Sequence, residues 1–500
     1  MTGHVEAVLG VDIGTSSTKG VLTALDGTIL RSATREHAVD RSAPGHVEMD
    51  ARVWWDEFVA LTAELTDGID ARVTGIGLSG MGPCVLLTDE AGEPVRPAIL
   101  YGVDTRAGEQ IAALNDRFGA ETILARCGSV LTSQAAGPKI RWVADHEPEA
   151  FARATRLFMP ASYLGFKLSG RYTLDHVSAS MVAPIYDPEA IDWYRPWAEH
   201  VAPGLELPPL MWPGQLVGTV TPTAAASLRG IATGTPLIAG STDAWAEAIS
   251  VGASAPGDVM LMYGTTTFLV AVTDRPLPSR SLWMTAGISE GTHTLAGGMA
   301  SSGAITSWLR ELTGDVEFDT LIQEAGESGP GASGLVMLPY FSGERAPFDD
   351  PSARGVIAGL TLSHTRGDIF RAALEAAAFG VRHHVEELQR AGAQIERVIA
   401  VGGGTRNGLW PQIVSDVTGL PQQIPHRTVG ASYGTSMLAA RAVHGIAAVD
   451  WNPIERTCRP DPATAERYEE LYGMYRALYP ATKDIVHALA ALQHGERPAR

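Results

Sequence analysis

The chain has 500 residues, room for two large domains or three small ones, and its 45% hydrophobic and 19% charged residues exclude wholesale disorder. Acidic residues outnumber basic ones, 56 to 38, for a formal charge of −18 without a basic run, which excludes the Lys/Arg-rich face that a nucleic-acid partner requires. Glycine is abundant, 54 of 500, as a fold with many tight turns or close backbone–ligand approaches needs.

Val8, Leu9 and Val11 predict a strand ending in Asp12-Ile13-Gly14-Thr15-Ser16-Ser17-Thr18-Lys19. Val21 to Leu25 predicts a second strand, and Asp26-Gly27 the hairpin turn into a third. Trp54, Phe58, Leu61 and Leu65 then fall on one helical stripe, with Asp50 as a candidate cap and Trp54-Trp55 as core plus edge. Strands near Val73–Leu78, Leu237–Ala239 and Val398–Val401 alternate with helices, and Pro203 to Pro236 reads as irregular surface with a short β segment. The opening pattern returns as Val259 to Tyr263, Gly264-Thr265-Thr266-Thr267 and Phe268 to Val272. Ile369 to Leu388 predicts a long helix closed at Gly392, and a further helix follows Asn407 and stops at Gly419. The class is α/β, with two similar halves divided near residue 245 (1–245 and 246–490) and a frayed tail after about Ala491.

Cys84, Cys127 and Cys458 lie far apart without a C-x-x-C pair, which argues against disulfides or a thiolate zinc site and fits a reducing cytoplasm. The N-terminal stretch has no signal-peptide pattern, and no run of about 18 apolar residues occurs, so no membrane partner is expected.

At Asp12–Ser17, Gly14 lets the chain bend close to a ligand, while N–H and hydroxyl groups can surround phosphate oxygens and Asp12 can stand beside a phosphate-bound Mg2+. A plain β-turn is the competing reading. Gly264-Thr265-Thr266 offers the same pair of readings, and two such turns in corresponding places suit two hairpins converging on one phosphate chain. Asp243 follows an apolar strand beside Gly240 and is either a general base or a helix N-cap. Gly402-Gly403-Gly404 leaves room for a flat ring at a strand-to-helix turn, or forms a glycine-rich loop before an Asn407 cap. His383 and His384, adjacent on a helix, diverge by about 100° and read as surface or interface residues.

In this order the motifs resemble the FGGY family of carbohydrate kinases, and its xylulokinase-like members in particular. The match is carried by Asp12 to Lys19, Val47 to Asp50 before Trp54-Trp55, Asp104-Thr105-Arg106, Gly240 to Ala244 and Gly264 to Thr266. Leu338 to Pro347, the signature run from Gly355 to Glu375, and Gly402-Gly403-Gly404 with Asn407 complete it. The resemblance implies two actin-like (ribonuclease-H-like) domains flanking a catalytic cleft, ATP and Mg2+ as cofactors, and compatibility with a homodimer. Carried over by position, Asp243 is the base that takes the proton from the attacking sugar hydroxyl, and Asp12 positions Mg2+ or the phosphates. Thr15, Ser16, Lys19, Gly264, Thr265 and Thr266 line the phosphates. Gly303, Gly402, Gly403 and Asn407 border the adenosine, while Gly80, Met81, Gly82, Asp104 and Arg106 line the sugar pocket. Family members carry Gln-Met-His-Gly where this chain reads Gly80-Met81-Gly82-Pro83-Cys84, and Trp-Asn-Asp where it reads Gly102-Val103-Asp104. The expected activity is phosphorylation of a terminal hydroxyl of a ketopentose, D-xylulose first. The alternatives are another ketose or a sugar alcohol (ribulose, erythrulose, polyol), or a non-catalytic sugar- or nucleotide-binding regulator.

Overall fold

The computed structural model describes residues 4–447 and 451–493; the expected tail beyond residue 493 lies outside them. The first sheet is built on β1 (Val5–Ile13), β2 (Ser17–Ala24) and β3 (Ile29–Glu36), an antiparallel meander. Helix α1 (Arg52–Thr66) leads to β4 (Ala71–Gly80), which pairs parallel with β1. After a long helical insertion, β5 (Leu216–Thr219) and β6 (Pro236–Ile238) complete the order β5-β6-β4-β1-β2-β3. Residues 241–242 pair with the end of β4, and helix α2 (Asp243–Ser250) follows directly.

The second sheet repeats this plan. It comprises β7 (Asp258–Tyr263), β8 (Thr267–Thr273), β9 (Trp283–Ala286), β10 (His293–Met299), β11 (Arg397–Val401), β12 (Gln422–Pro425) and β13 (Ile454–Cys458). Its order is β9-β10-β8-β7-β11-β12-β13. The run β3-β2-β1-β4-β6-β5 thus corresponds to β10-β8-β7-β11-β12-β13, with the same sequence of antiparallel and parallel pairs. This is the actin-like arrangement, and the echo between the two strand–Gly-Thr–strand segments is its local trace.

The central strand β1 is buried without alternation from Ala7 to Val11, because helices cover both of its faces. One cover is α1, whose Trp54, Phe58, Leu61 and Leu65 are fully buried. The expected cap is half realised: Ala51 occupies the cap position, and Asp50 accepts the Arg52 N–H at 3.0 Å. The other cover comes from the far end of the chain, helix α6 (Ala431–His444), which lies across β1 and β4. Between these in sequence run α3 (Gly303–Leu312), α4 (Arg366–Arg390) and α5 (Leu409–Thr418), and α7 (Ala465–Gln493) ends the described chain. Helix α4 starts with a reciprocal cap in which the Asp368 carboxylate accepts the Thr365 N–H at 2.7 Å.

Helix α4 corrects one expectation. His383 and His384 are buried, 8% and 0% exposed, because this helix is enclosed on nearly all sides by the second sheet and by the chain around residues 340–350 and 468–479. The three cysteines are buried and unpaired. Among the described residues, no helix is long and apolar enough to cross a membrane.

Candidate active site

Register brings the acidic residues together. Asp12 on β1 pairs with Ser79 on β4, and Ser79 pairs in turn with Ser241, so three parallel strands end side by side. Ser79 donates to Asp12 Oδ1 at 2.9 Å. Asp243 comes one residue after this strand end and opens α2; its Oδ1 accepts the Ala244 N–H at 2.8 Å. The N-cap position belongs to Thr242, so Asp243 is the first helical residue, and its second oxygen has no hydrogen-bond partner among the described residues.

Burial pushes both carboxyls well above the ordinary carboxylate range, and the Asp12 charge raises Asp243 further. Glu247 joins them. It lies four residues after Asp243 on the same face of α2, and burial followed by the Asp12 charge pushes it up to about 7. Sequence reading passed over Glu247, although its i+4 spacing from Asp243 was the available signal. Lys19, opposite Asp12 on β2, is the cation that partly offsets this crowding.

The residues present fit a divalent cation of one kind only. Among the described residues no three His, Cys, Asp or Glu side chains converge as a metal cage. Two crowded carboxylates at strand ends instead suit Mg2+, which keeps most of its waters and takes the rest of its oxygens from phosphate.

Each Gly-Thr turn has its own support. In the first, the Gly14 N–H donates to Ser17 O and the Thr15 hydroxyl bonds Tyr101 at 3.0 Å, while Ser16 and Lys19 are exposed. His37 bridges the Gly14 carbonyl and the Glu57 carboxylate, a strut that no local pattern announced. In the second, Ser302, Gly303 and Ala304 direct their N–H groups onto Gly264 O and Thr265 O at 3.0–3.2 Å. Gly303 is required there: a Cβ would stand 2.4 Å from Gly264 O. The Thr265 side chain is exposed at the turn.

Helix α2 ties the two sheets together, since Trp245 donates to Thr294 on β10 at 2.9 Å and meets Phe268 on β8 edge-on. The triple glycine follows β11. Gly402 has φ +98°, and a Cβ there would meet Tyr263 O at 2.5 Å, whereas Gly403 faces open space. Gly408 occupies the cap position of α5, and Asn407, one residue earlier, accepts the Trp410 N–H at 3.3 Å, so its expected capping role is only half realised.

Gly80, Met81 and Gly82 run beside the acidic cluster. The Met81 N–H bonds Ile13 O at 2.8 Å, and a Cβ on Gly82 would stand 2.4 Å from Thr242 Cγ2. A side chain at position 82 has no room here.

Asp104 and Arg106, expected to line the sugar pocket, do not. Asp104 is fully buried and accepts from the Val47 N–H at 2.6 Å and from Arg106 Nε and Nη2 at 3.0 and 2.7 Å. The Arg106 side chain is 1% exposed, bonded also to Glu48 and covered by the Trp142 ring. Their polar atoms are spent inside the protein, and they brace the loop that carries Tyr101. Asp104→Ala leaves the buried guanidinium with Glu48 as its remaining carboxylate partner and is expected to cost about 3 kcal/mol of stability. Thermal unfolding checks this, and the folded fraction should keep the wild-type KM for sugar.

Between the units lies a cavity of about 210 Å³ whose wall includes Thr132, Gln134, Phe268, Trp283 and Arg345. Arg345 in this wall and Asp243 in the acidic cluster both act on the Tyr101 hydroxyl, Asp243 raising its proton affinity and Arg345 lowering it.

Two family models cover this architecture: the N-terminal domain of the FGGY family of carbohydrate kinases over residues 7–250, and its C-terminal domain over 259–443. The chain belongs to the FGGY family of carbohydrate kinases. A xylulose kinase structure from Rhodospirillum rubrum shares 34% identity and superimposes with a TM-score of 0.89 over 96% of this chain and 100% of that one. A xylulose kinase from Staphylococcus epidermidis is 27% identical over 498 residues, covering 97% of this chain and 99% of the relative. A glycerol kinase from Janthinobacterium is also 27% identical, over 94% of this chain and 98% of its own length. The FGGY chain described here is therefore a sugar kinase.

Proposed function

We propose that this FGGY kinase transfers the γ-phosphoryl group of ATP to the terminal hydroxyl of a ketopentose, with D-xylulose first. The observation that carries the reading is the Asp243 carboxylate: one oxygen is anchored on the Ala244 N–H, the other has no hydrogen-bond partner among the described residues, and the neighbourhood raises its proton affinity. A base of raised pKa takes a proton effectively near neutral pH. As the sugar oxygen bonds to phosphorus and the bond to the ADP oxygen breaks, the hydroxyl proton passes to Asp243.

In this reading Thr15, Ser16, Lys19, Gly264, Thr265 and Thr266 orient the phosphates. Gly303, Gly402, Gly403 and Asn407 border the adenosine, and Gly80, Met81 and Gly82 line the sugar site beside Asp243. Mg2+, held through Asp12 with the nucleotide, supplies neutralisation of phosphate charge. The division between the halves is placed near residue 245, and the buried, unpaired cysteines support a reducing cytoplasm.

A coupled assay over ketoses, aldoses and polyols tests the substrate. D-Xylulose should give the highest kcat/KM. A tenfold preference for ribulose, erythrulose or a polyol transfers the assignment to that sugar, and ADP release indifferent to every sugar overturns it. The xylulose kinase relatives support the first choice, and the glycerol kinase relative keeps polyols in the panel.

Two further results are expected. Because Asp243 must be deprotonated and its pKa is raised, kcat/KM should fall as pH drops below neutrality, where a carboxylate of ordinary pKa, about 4, would still be fully ionised. A profile flat down to pH 5 contradicts this. Gly403→Leu should raise the KM for ATP about tenfold while sugar KM and melting temperature stay put, since the added side chain enters open space and not packed protein.

A further inference from the structure

The loop at Gly102 has a side chain supplied from elsewhere. A Cβ on Gly102 would stand 2.1 Å from Gln134 Nε2 and 2.2 Å from its Cδ, so the Gln134 carboxamide occupies the volume a residue at 102 would fill. The fit is built from both directions. The Gly102 N–H donates to Gln134 Oε1 at 3.0 Å, and the neighbouring Ser133 hydroxyl donates to Gly102 O at 3.0 Å. The backbone N–H can only donate, so it fixes the carboxamide with its oxygen toward Gly102. The Nε2 end is left with two N–H donors and has no hydrogen-bond partner among the described residues.

Gln134 also forms part of the wall of the 210 Å³ cavity, together with Thr132, Phe268, Trp283 and Arg345. Neither Asp243 nor Tyr101 is part of that wall, and Tyr101 is the chain neighbour of Gly102, its hydroxyl acted on by the charges of both Asp243 and the cavity residue Arg345. In the sugar-kinase reading, a cavity whose wall lacks the base is the place for the part of the substrate remote from the hydroxyl that reacts.

We propose that Gln134 is a specificity-determining residue whose Nε2 donates to an acceptor oxygen, hydroxyl or carbonyl, on the far part of an open-chain sugar. The substrate class this selects is a polyhydroxylated chain longer than its reacting end, bound in the cavity between the two units. The inference rests on the sugar-kinase reading above and deepens it. A donor pre-set by a backbone bond loses little freedom on binding, and a substrate without the matching oxygen leaves it unpaired.

Gln134→Glu tests this with little change of shape: it keeps an acceptor for Gly102 and removes both donors. Gln134→Leu removes donor and acceptor together and serves if the charged variant is poorly folded. D-Xylulose binding is measured by calorimetry without nucleotide, ATP binding serves as the internal control, and steady-state kinetics follow. The expected result is a sugar Kd and KM raised about tenfold with ATP affinity unchanged and kcat within about threefold, the loss of one substrate hydrogen bond. An amide whose only duty is to brace Gly102 would leave sugar affinity of the folded Gln134→Glu protein untouched, and a change below twofold in both variants overturns the proposal. Wild-type protein that binds no ketose or polyol overturns the sugar-site reading itself, a result separate from unaltered affinity in the variants.

Discussion

Replacing Asp243 with asparagine should lower sugar-dependent ADP release by about three orders of magnitude, the scale of a lost general base, and leave sugar affinity within about threefold. The substitution is nearly silent in shape, because the asparagine Oδ1 still accepts the Ala244 N–H that the carboxylate accepts now. What disappears is the basic site on the second oxygen. The same variant carries a stability signature of opposite sign. The folded chain holds the Asp243 proton more tightly than the unfolded chain does, so the stability tied to that proton is complete below about pH 4 and is lost as pH rises toward neutrality. At pH 8 the ligand-free site holds Asp12, Asp243 and Glu247 against one another, and removing one charge relieves it. The melting temperature of the variant at pH 8 should therefore exceed wild type by about 1–4 °C, with the gap closing toward pH 5. Near-normal turnover by Asp243→Asn ends the general-base reading; a lower melting temperature at pH 8 ends the account of crowded charge.

Gly434→Val should be the most damaging single change to the fold. Helix α6 approaches its neighbours without side chains in between: a Cβ on Gly434 would stand 1.8 Å from Ala246 O, one on Gly10 2.0 Å from Ser432 O, and one on Gly77 2.2 Å from Thr435 O. These are backbone atoms of packed strands and helices, and no rotamer change can clear them. The helix must move away from β1, β4 and α2 together, at a cost of more than about 3 kcal/mol. Since α2 carries Asp243 and Glu247, residual folded protein should also lose activity. Thermal and urea unfolding check this against Gly326→Ala, a helical position with nothing within 4 Å, which should be neutral or stabilising by up to about 1 kcal/mol. An unchanged melting temperature for Gly434→Val would mean that α6 is not clamped in this way.

Much of the architecture was legible because its signals are local. The stripe from Phe370 to Leu388 identified a helix that runs from Arg366 to Arg390, and Gly419 stops α5 in a left-handed conformation. The two strand–Gly-Thr–strand segments turned out to be the matching hairpins of two sheets with the same strand order. The site was legible more unevenly. Asp12 and Asp243 could be read because each follows an apolar strand, the place where parallel strands deliver side chains to a cleft. Asp104 and Arg106 misled because a charged pair in a loop looks the same whether it faces a ligand or is sealed under Trp142 with Glu48.

The amino-acid order alone determined the α/β class, the doubled hairpin plan, the family and the candidate carboxylates, since periodicity, turn chemistry and motif spacing are properties of neighbouring residues. Tertiary structure decided that helix 431–444 closes over the first sheet, that His383 and His384 are interior, that Glu247 joins the acidic cluster, and that Gln134 fills the space above Gly102. Each of those depends on which distant segments meet and how closely, and local chemistry carries no record of a contact made across the fold.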